Sequence, residues 1–216
     1  MNITLGVYDL FGNAIPGLLY LYLLNEILKL LHLNYIDIAN VDKIAEMILI
    51  GVAAYILGHL FSHYSYWYWY HRLIKTKAEQ EALVHLQEQH EGVNIHFQPV
   101  DAKLLIGVIR HQNLHLAQSI EMVRANAILL RNISLGLFFF SVLQMVLYIL
   151  NRFLFQDIAL AVVAILLSIM ALRRASRLEE WYYRDIFKDA LNYGPDLESV
   201  YQCIHAQTVK KSLPQL

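Results

Sequence analysis

The chain has 216 residues, of which 57% are hydrophobic and only 16% are charged, and its formal net charge is -1 at pH 7. This apolar share exceeds the roughly 45–50% of soluble proteins, which argues against an ordinary soluble domain and favours a protein that meets lipid. The near-zero net charge excludes a bulk attraction to nucleic acid. The single cysteine, Cys203, excludes an internal disulfide and a cysteine-based metal site.

The first two apolar segments predict two membrane-spanning helices. The first runs from Ala14 to Leu31, with Pro16 in its entry turn, where proline is tolerated. The second runs from Ile44 to His63, which is close to the roughly 20 residues that cross a hydrocarbon core. The connection between them is short and acidic, as expected on the outer side of a membrane.

Small residues lie on the second predicted span. Gly51, Ala54 and Gly58 would let another helix backbone approach closely. We interpret this face as a packing interface, either within the helix bundle or between protomers, and we predict that it joins the copies of a homo-oligomer.

Two histidines near the end of the second span have a spacing that can hold a metal ion. His59 and His63 lie four residues apart and therefore on one helical face. Because no carboxylate or cysteine nearby completes a ligand set, we predict no metal site. A polar pair that hydrogen-bonds to neighbouring helices is the preferred interpretation.

Aromatic residues and then cations follow the second span. Trp67 and Trp69 have the amphipathic rings that suit the headgroup layer, and Arg72 begins a basic stretch that indicates the cytoplasmic side. Arg173 and Arg174 follow the fourth span in the same way. These five residues are the predicted membrane interface, and they predict that both termini lie in the cytoplasm.

Residues 71–130 are predicted to form a cytoplasmic helical insert. A charged helix ends near Gly92, and a short strand is expected where Val93, Ile95 and Phe97 alternate with polar residues. An amphipathic helix begins at Asp101 and is expected to continue into the third span.

The third span is predicted at Asn132 to Leu150 and the fourth at Phe153 to Leu172, as a tight hairpin. The predicted fold is therefore an all-α membrane protein with four transmembrane helices, cytoplasmic helical extensions and at most one short strand. Its predicted divisions are a first hairpin (1–70), the insert (71–130), a second hairpin (131–172) and C-terminal cytoplasmic helices (173–216).

The sharpest chemical motif is RHQNLH, from Arg110 to His115. An arginine, a polar residue and a later histidine resemble the motif of HEPN ribonucleases, in which two protomers bring these side chains together. The resemblance implies that Arg110 holds a scissile phosphate, that His115 acts as acid or base, and that His111 supports it. The same residues also fit the water-facing side of a helix, and Arg110 and His115 are not in ideal helical register.

Three segments together resemble small four-span bacterial membrane proteins that are associated with anti-phage defence. They are YDLFGNAIPG (Tyr8 to Gly17), YILGH (Tyr55 to His59) and RHQNLH. The families in question are the membrane accessory proteins of type VI-B CRISPR systems and the membrane subunit of Kiwa systems. The resemblance implies an oligomeric inner-membrane component that senses infection or forms a pore, with a cytoplasmic defence protein as partner. The motif departs from the HEPN pattern because it lies in a helix that leads toward a membrane span.

Two alternatives remain open. One is a membrane-anchored ribonuclease that acts on RNA through Arg110 and His115. The other is a small channel or transporter, although Glu26, Lys29 and Asp157 are the few ionisable residues in the spans and lie near their ends. The residues favour a protein that is not an enzyme and that needs no cofactor.

Overall fold

In this computed structural model, residues 3–33, 43–72, 78–89, 101–150 and 154–192 are described, without the side chains of 3–11, 70–72 and 89. These residues form helices and no strand. The helices are α1 (Ile3–Leu30), α2 (Ile44–Arg72), α3 (Ala78–Gln89), α4 (Ala102–Gln112), α5 (Leu114–Leu150) and α6 (Phe155–Asn192). The predicted strand at 93–97 lies outside the described residues. Of the predicted C-terminal helices (173–216), residues 173–192 are the continuation of α6, and residues 193–216 lie outside the described part.

Three helices in the described ranges are long and apolar enough to cross a membrane. They are α2 over Ile44–Trp69, α5 and α6. The helix predicted as the first span is present as α1, but it is not among the three. Its described part contains Asn13, Asn25, Glu26 and Lys29, which lower its mean hydropathy.

The helix that we expected to continue from Asp101 into the membrane is divided at Asn113. This residue has an extended backbone (φ -142°, ψ 94°), and its N–H still donates to Ile109 O at 2.7 Å, closing the end of α4. Its side-chain Oδ1 accepts the N–H of Leu116 at 3.1 Å at the start of α5. Asparagine is among the best residues for this N-cap position, so the sequence stops one helix and starts the next at a single residue.

The chain divides into two compact units. The first comprises Met1–Lys75 and Met122–Glu179, and the second comprises Thr76–Glu121 and Glu180–Leu216. In the first unit, Tyr20, Leu23 and Leu143 form a buried cluster contributed by α1 and α5. In the second unit, all four helical segments contribute buried apolar side chains, which include Leu83, Leu86, Leu105, Ile109, Ile120, Ile186 and Phe187.

Helices α1 and α2 cross at very short range inside the first unit. A Cβ added to Gly17 would collide with the carbonyl oxygen of Ala54, and one added to Gly58 would collide with the carbonyl oxygen of Asn13. Only a residue without a side chain fits at either point. The two glycines therefore set the distance between these helices.

Helices α1 and α5 run in the same direction where they touch. Asn132 Nδ2 on α5 donates to Gly12 O on α1 at 3.5 Å. Ten residues further along α1, the ring of Tyr22 lies 6.4 Å from that of Phe140. Because the contacts advance in the same order along both helices, the described part of α1 lies beside the apolar part of α5.

Candidate functional site

The first unit buries polar side chains among its apolar ones and exposes many large apolar side chains. Its buried polar side chains are Asn13, Asn25, Ser65, Asn132, Ser134, Ser141, Gln144 and Ser168. Its exposed side chains include many large aliphatic residues, such as Leu49 at 68% and Met170 at 65% exposure. A protein in water rarely exposes a continuous surface of large apolar side chains, because burial of apolar surface drives its folding. In lipid, an apolar exterior is favourable and polar side chains pair between helices.

Asn132 is the residue at which three helices of this unit meet. Ser65 Oγ on α2 donates to Asn132 Oδ1 at 2.5 Å, and Tyr20 Oη on α1 donates to the backbone oxygen of Asn132 at 2.7 Å. Asn132 is fully buried. Hydrogen bonds of this kind are hard to replace in lipid, where no water competes for the partners.

A second polar contact joins α5 to α6. Ser134 Oγ lies 2.9 Å from Ser168 O, and Ser168 Oγ lies 2.8 Å from Ser134 O, so each hydroxyl can donate to the other residue's carbonyl. Both serines are buried. This reciprocal pair allows the two helix backbones to approach closely, as small hydroxyl residues do in membrane bundles.

The three small residues predicted to join protomers have different surroundings. Ala54 and Gly58 pack against α1 of the same chain, as described above, so their surfaces are not open to a second copy. Gly51 is exposed, and a Cβ added there would meet no atom within 4 Å. Packing within the helix bundle, one of the two predicted possibilities, therefore accounts for Ala54 and Gly58 but not for Gly51.

His59 and His63 lie on the exposed side of α2. Together with Leu60, Tyr64 and Trp67 they line a shallow groove on that side. The ring of His59 stacks on Tyr55 at 6.3 Å between centroids. Across the described ranges, no group of three histidine, cysteine or acidic side chains could hold a metal ion.

The predicted interface residues separate into outward and inward side chains. Trp67 is exposed, at 60%, whereas Trp69 is only 6% exposed and its ring packs against Phe138 with a centroid distance of 6.2 Å. Arg173 and Arg174 on α6 are exposed. The side chain of Arg72 lies outside the described residues.

The RHQNLH motif is distributed over two helices. Arg110 and His111 lie in the last turn of α4, and His115 lies in the first turn of α5, after the break at Asn113. Both histidines are exposed, and the Arg110 guanidinium forms an ion pair with the Glu121 carboxylate. This pair connects α4 to α5 across the turn, which gives Arg110 a structural role.

Sequence reasoning did not single out Asn132, Ser134 or Ser168. A signal for them existed, since each is a polar residue inside or at the edge of a predicted span, where polar side chains are expensive unless they are paired. The ionisable pair in α1 is also satisfied locally, because Lys29 Nζ lies 2.8 Å from Glu26 Oε1.

Comparisons with protein-family models, with curated proteins and with solved structures found no match to this chain.

Proposed function

We propose that this chain is a four-span integral protein of the bacterial inner membrane that acts without enzymatic chemistry, as an oligomeric component of anti-phage defence. In this proposal it senses infection, or a cytoplasmic defence partner, and perturbs the membrane when activated. The observation that carries the membrane part is the exposure of large apolar side chains on the first unit, together with polar side chains buried between its helices.

The packing of α1 supports its assignment as a membrane span in addition to α2, α5 and α6. It runs beside α5 in the same direction, most of its exposed side chains from Ile15 onward are apolar, and Asn13 and Asn25 are buried. Asn13 and Asn25 therefore face the bundle, whereas Lys29 is exposed and pairs with Glu26 near the end of the helix. Among the described side chains of α1, the large exposed apolar ones are Ile15, Leu18, Tyr22, Leu24 and Ile27.

The proposed orientation has both termini in the cytoplasm. Arg173, Arg174 and Arg177 follow the apolar part of α6, and an excess of cations is typical of the cytoplasmic side. With four spans, the N-terminus and residues 76–121 lie on that same side.

The defence assignment is supported by the segments that carry the family resemblance. Two of them, residues 8–17 and 55–59, meet at the crossing of α1 and α2, where Asn13 and Gly17 approach Ala54 and Gly58. The two segments therefore pack against each other in this chain. The ion pair of Arg110 with Glu121 favours the non-enzymatic reading over the ribonuclease.

Liposome leakage and RNA cleavage, measured on the same purified protein, test this proposal. We expect the wild-type chain to release an entrapped dye and to leave RNA uncut. The variant with Arg110→Ala and His115→Ala should retain the leakage. Cleavage of RNA that this double variant abolishes, without leakage from wild-type protein, would overturn the proposal in favour of the membrane-anchored ribonuclease.

A phage challenge tests the biological context. Cells that express the chain with its neighbouring genes should survive infection better than cells that carry Gly58→Leu, which disrupts the crossing of α1 and α2. Equal survival of both strains would contradict a defence role that depends on the folded membrane unit.

A further inference from the structure

Arg131 on α5 has an unusual position for an arginine. It directly precedes Asn132, where the apolar part of α5 begins, and its guanidinium carbon lies 5.0 Å from the centre of the Tyr66 ring. The side chain is half-buried. Within the described part of the chain, its buried Nε–H has no hydrogen-bond acceptor.

Arg131 has charged neighbours of both signs. Glu179 and Arg124 are both close enough to interact with it electrostatically. Glu179 attracts the Arg131 guanidinium, whereas Arg124 repels it. An anion beside Arg131 would offset the repulsion from Arg124 and could supply an acceptor for the guanidinium.

Membrane depth narrows the choice of anion. A guanidinium at the boundary of the apolar zone loses hydration, so an unsatisfied donor there is costly. The anions present at this depth are the phosphodiesters of lipid headgroups, and guanidinium recognises phosphate through paired, charge-assisted hydrogen bonds. Basic pockets between transmembrane helices on the cytoplasmic side bind anionic headgroups in this way.

We propose that Arg131 binds the phosphate of an anionic phospholipid in the cytoplasmic leaflet, with Tyr66 supporting the guanidinium from one side. The chemistry is phosphate recognition, and the lipid rather than free phosphate is its source. This proposal rests on the membrane placement proposed above. It adds a specific lipid contact at the point where the apolar part of α2 ends and that of α5 begins.

Lipid binding to the purified full chain tests the site. Native mass spectrometry in detergent would compare phosphatidylglycerol with phosphatidylcholine, and a separate arm would add inorganic phosphate alone. We expect wild-type protein to prefer phosphatidylglycerol and Arg131→Gln to reduce that preference about tenfold, as loss of a charge-assisted hydrogen bond would. Arg131→Lys should lose most of it too, because an ammonium lacks the planar pair of donors.

Arg173→Gln is the matched control, since it removes the same charge from an exposed position on the same unit. Arg173→Gln should retain most of the preference for phosphatidylglycerol. The wild-type preference should also persist at about 0.5 M salt, a concentration at which diffuse electrostatic attraction is screened. Equal losses in Arg131→Gln and Arg173→Gln would overturn the proposal, because they indicate diffuse electrostatics. Competition by inorganic phosphate at equal concentration would also overturn it.

The melting temperature of Arg131→Gln without added lipid shows whether the variant is folded. If it is not, Arg131→Lys carries the test, since it preserves the charge. The orientation of the chain is measured independently by cysteine labelling, so failure of the lipid site and failure of the topology give different results.

Discussion

Ser65 and Asn132 join α2 to α5 through a buried hydrogen bond of 2.5 Å between Ser65 Oγ and Asn132 Oδ1. The bond connects two polar side chains in a unit whose exterior is apolar. The coupling free energy between these two side chains therefore measures how strongly a buried polar contact stabilises this fold.

A double-mutant cycle of Ser65→Ala and Asn132→Leu should show a coupling free energy of about 0.6 kcal/mol, and at most about 1.7 kcal/mol, as for other interhelical bonds in membranes. The Tyr20 bond is retained in the cycle because it uses the backbone oxygen of Asn132. Reversible unfolding in mixed micelles is the measurement. Ser176→Ala is the control, since the hydrogen bond that Ser176 Oγ donates to Leu172 O at 3.0 Å lies within one helix. Zero coupling would show that the bond does not stabilise the fold.

Substitution of Gly58 should destabilise the first unit far more than substitution of Gly51. Gly58→Ala places a methyl group against the carbonyl oxygen of Asn13, and relief of such overpacking costs about 1–3 kcal/mol or more. Gly51→Ala meets open space and should change stability by less than about 0.5 kcal/mol. Thermal unfolding in detergent compares the two. Similar midpoints would mean that α1 and α2 do not cross at these residues.

Arg110 should act through its ion pair with Glu121. Because the Arg110 side chain is 49% exposed, Arg110→Ala should cost only about 0.2–1 kcal/mol. The exchange Arg110→Glu with Glu121→Arg should recover part of that loss, which chemical denaturation can measure.

His115→Ala is the matched control for that experiment, and it should be neutral in stability and in cellular protection because the imidazole is exposed. Loss of protection in a fully folded His115→Ala protein would instead support the ribonuclease alternative.

The end of α6 should become more stable as the pH falls. Burial, and then the neighbouring Asp189 carboxylate, raises the pKa of Asp185, and burial raises the pKa of Asp189. The folded state thus holds these protons more tightly than the unfolded state, so the contribution is present at low pH and lost as the pH rises through the raised values.

Hydrogen exchange of residues 180–192, corrected for its intrinsic pH dependence, should therefore show more protection at pH 5 than at pH 7.5. Asp185→Asn should raise protection at pH 7.5 and flatten the dependence, whereas Glu81→Gln, an exposed change in the second unit, should not. A steeper dependence in Asp185→Asn would contradict the assigned cause.

Much of the helical pattern was predictable because it depends on local hydropathy. The apolar runs of α2, α5 and α6 are recognisable as candidate membrane spans from their length and composition. The break at Asn113 was missed because the apolar periodicity continues on both sides of it, and only the backbone shows that this asparagine caps a new helix.

The interior contacts were less predictable because they depend on which helix faces which. Gly58 was recognised as a packing residue, but its partner in α1 could not be known from spacing alone. The sequence predicts headgroup rings at both Trp67 and Trp69, but the Trp69 side chain is buried and the Trp67 side chain is exposed. A position two residues away on a helix points to a different side, so a cluster of aromatic letters does not define one surface.

Whether α1 crosses the membrane is the central question, and two cysteines placed at its ends answer it most directly. In a Cys203→Ser background, Asn2→Cys and Leu33→Cys would be labelled with a membrane-impermeant maleimide in cells whose outer membrane has been opened. The four-span account predicts that Leu33→Cys is labelled at once and that Asn2→Cys is labelled only after the inner membrane is permeabilised. Equal labelling of both positions would contradict it.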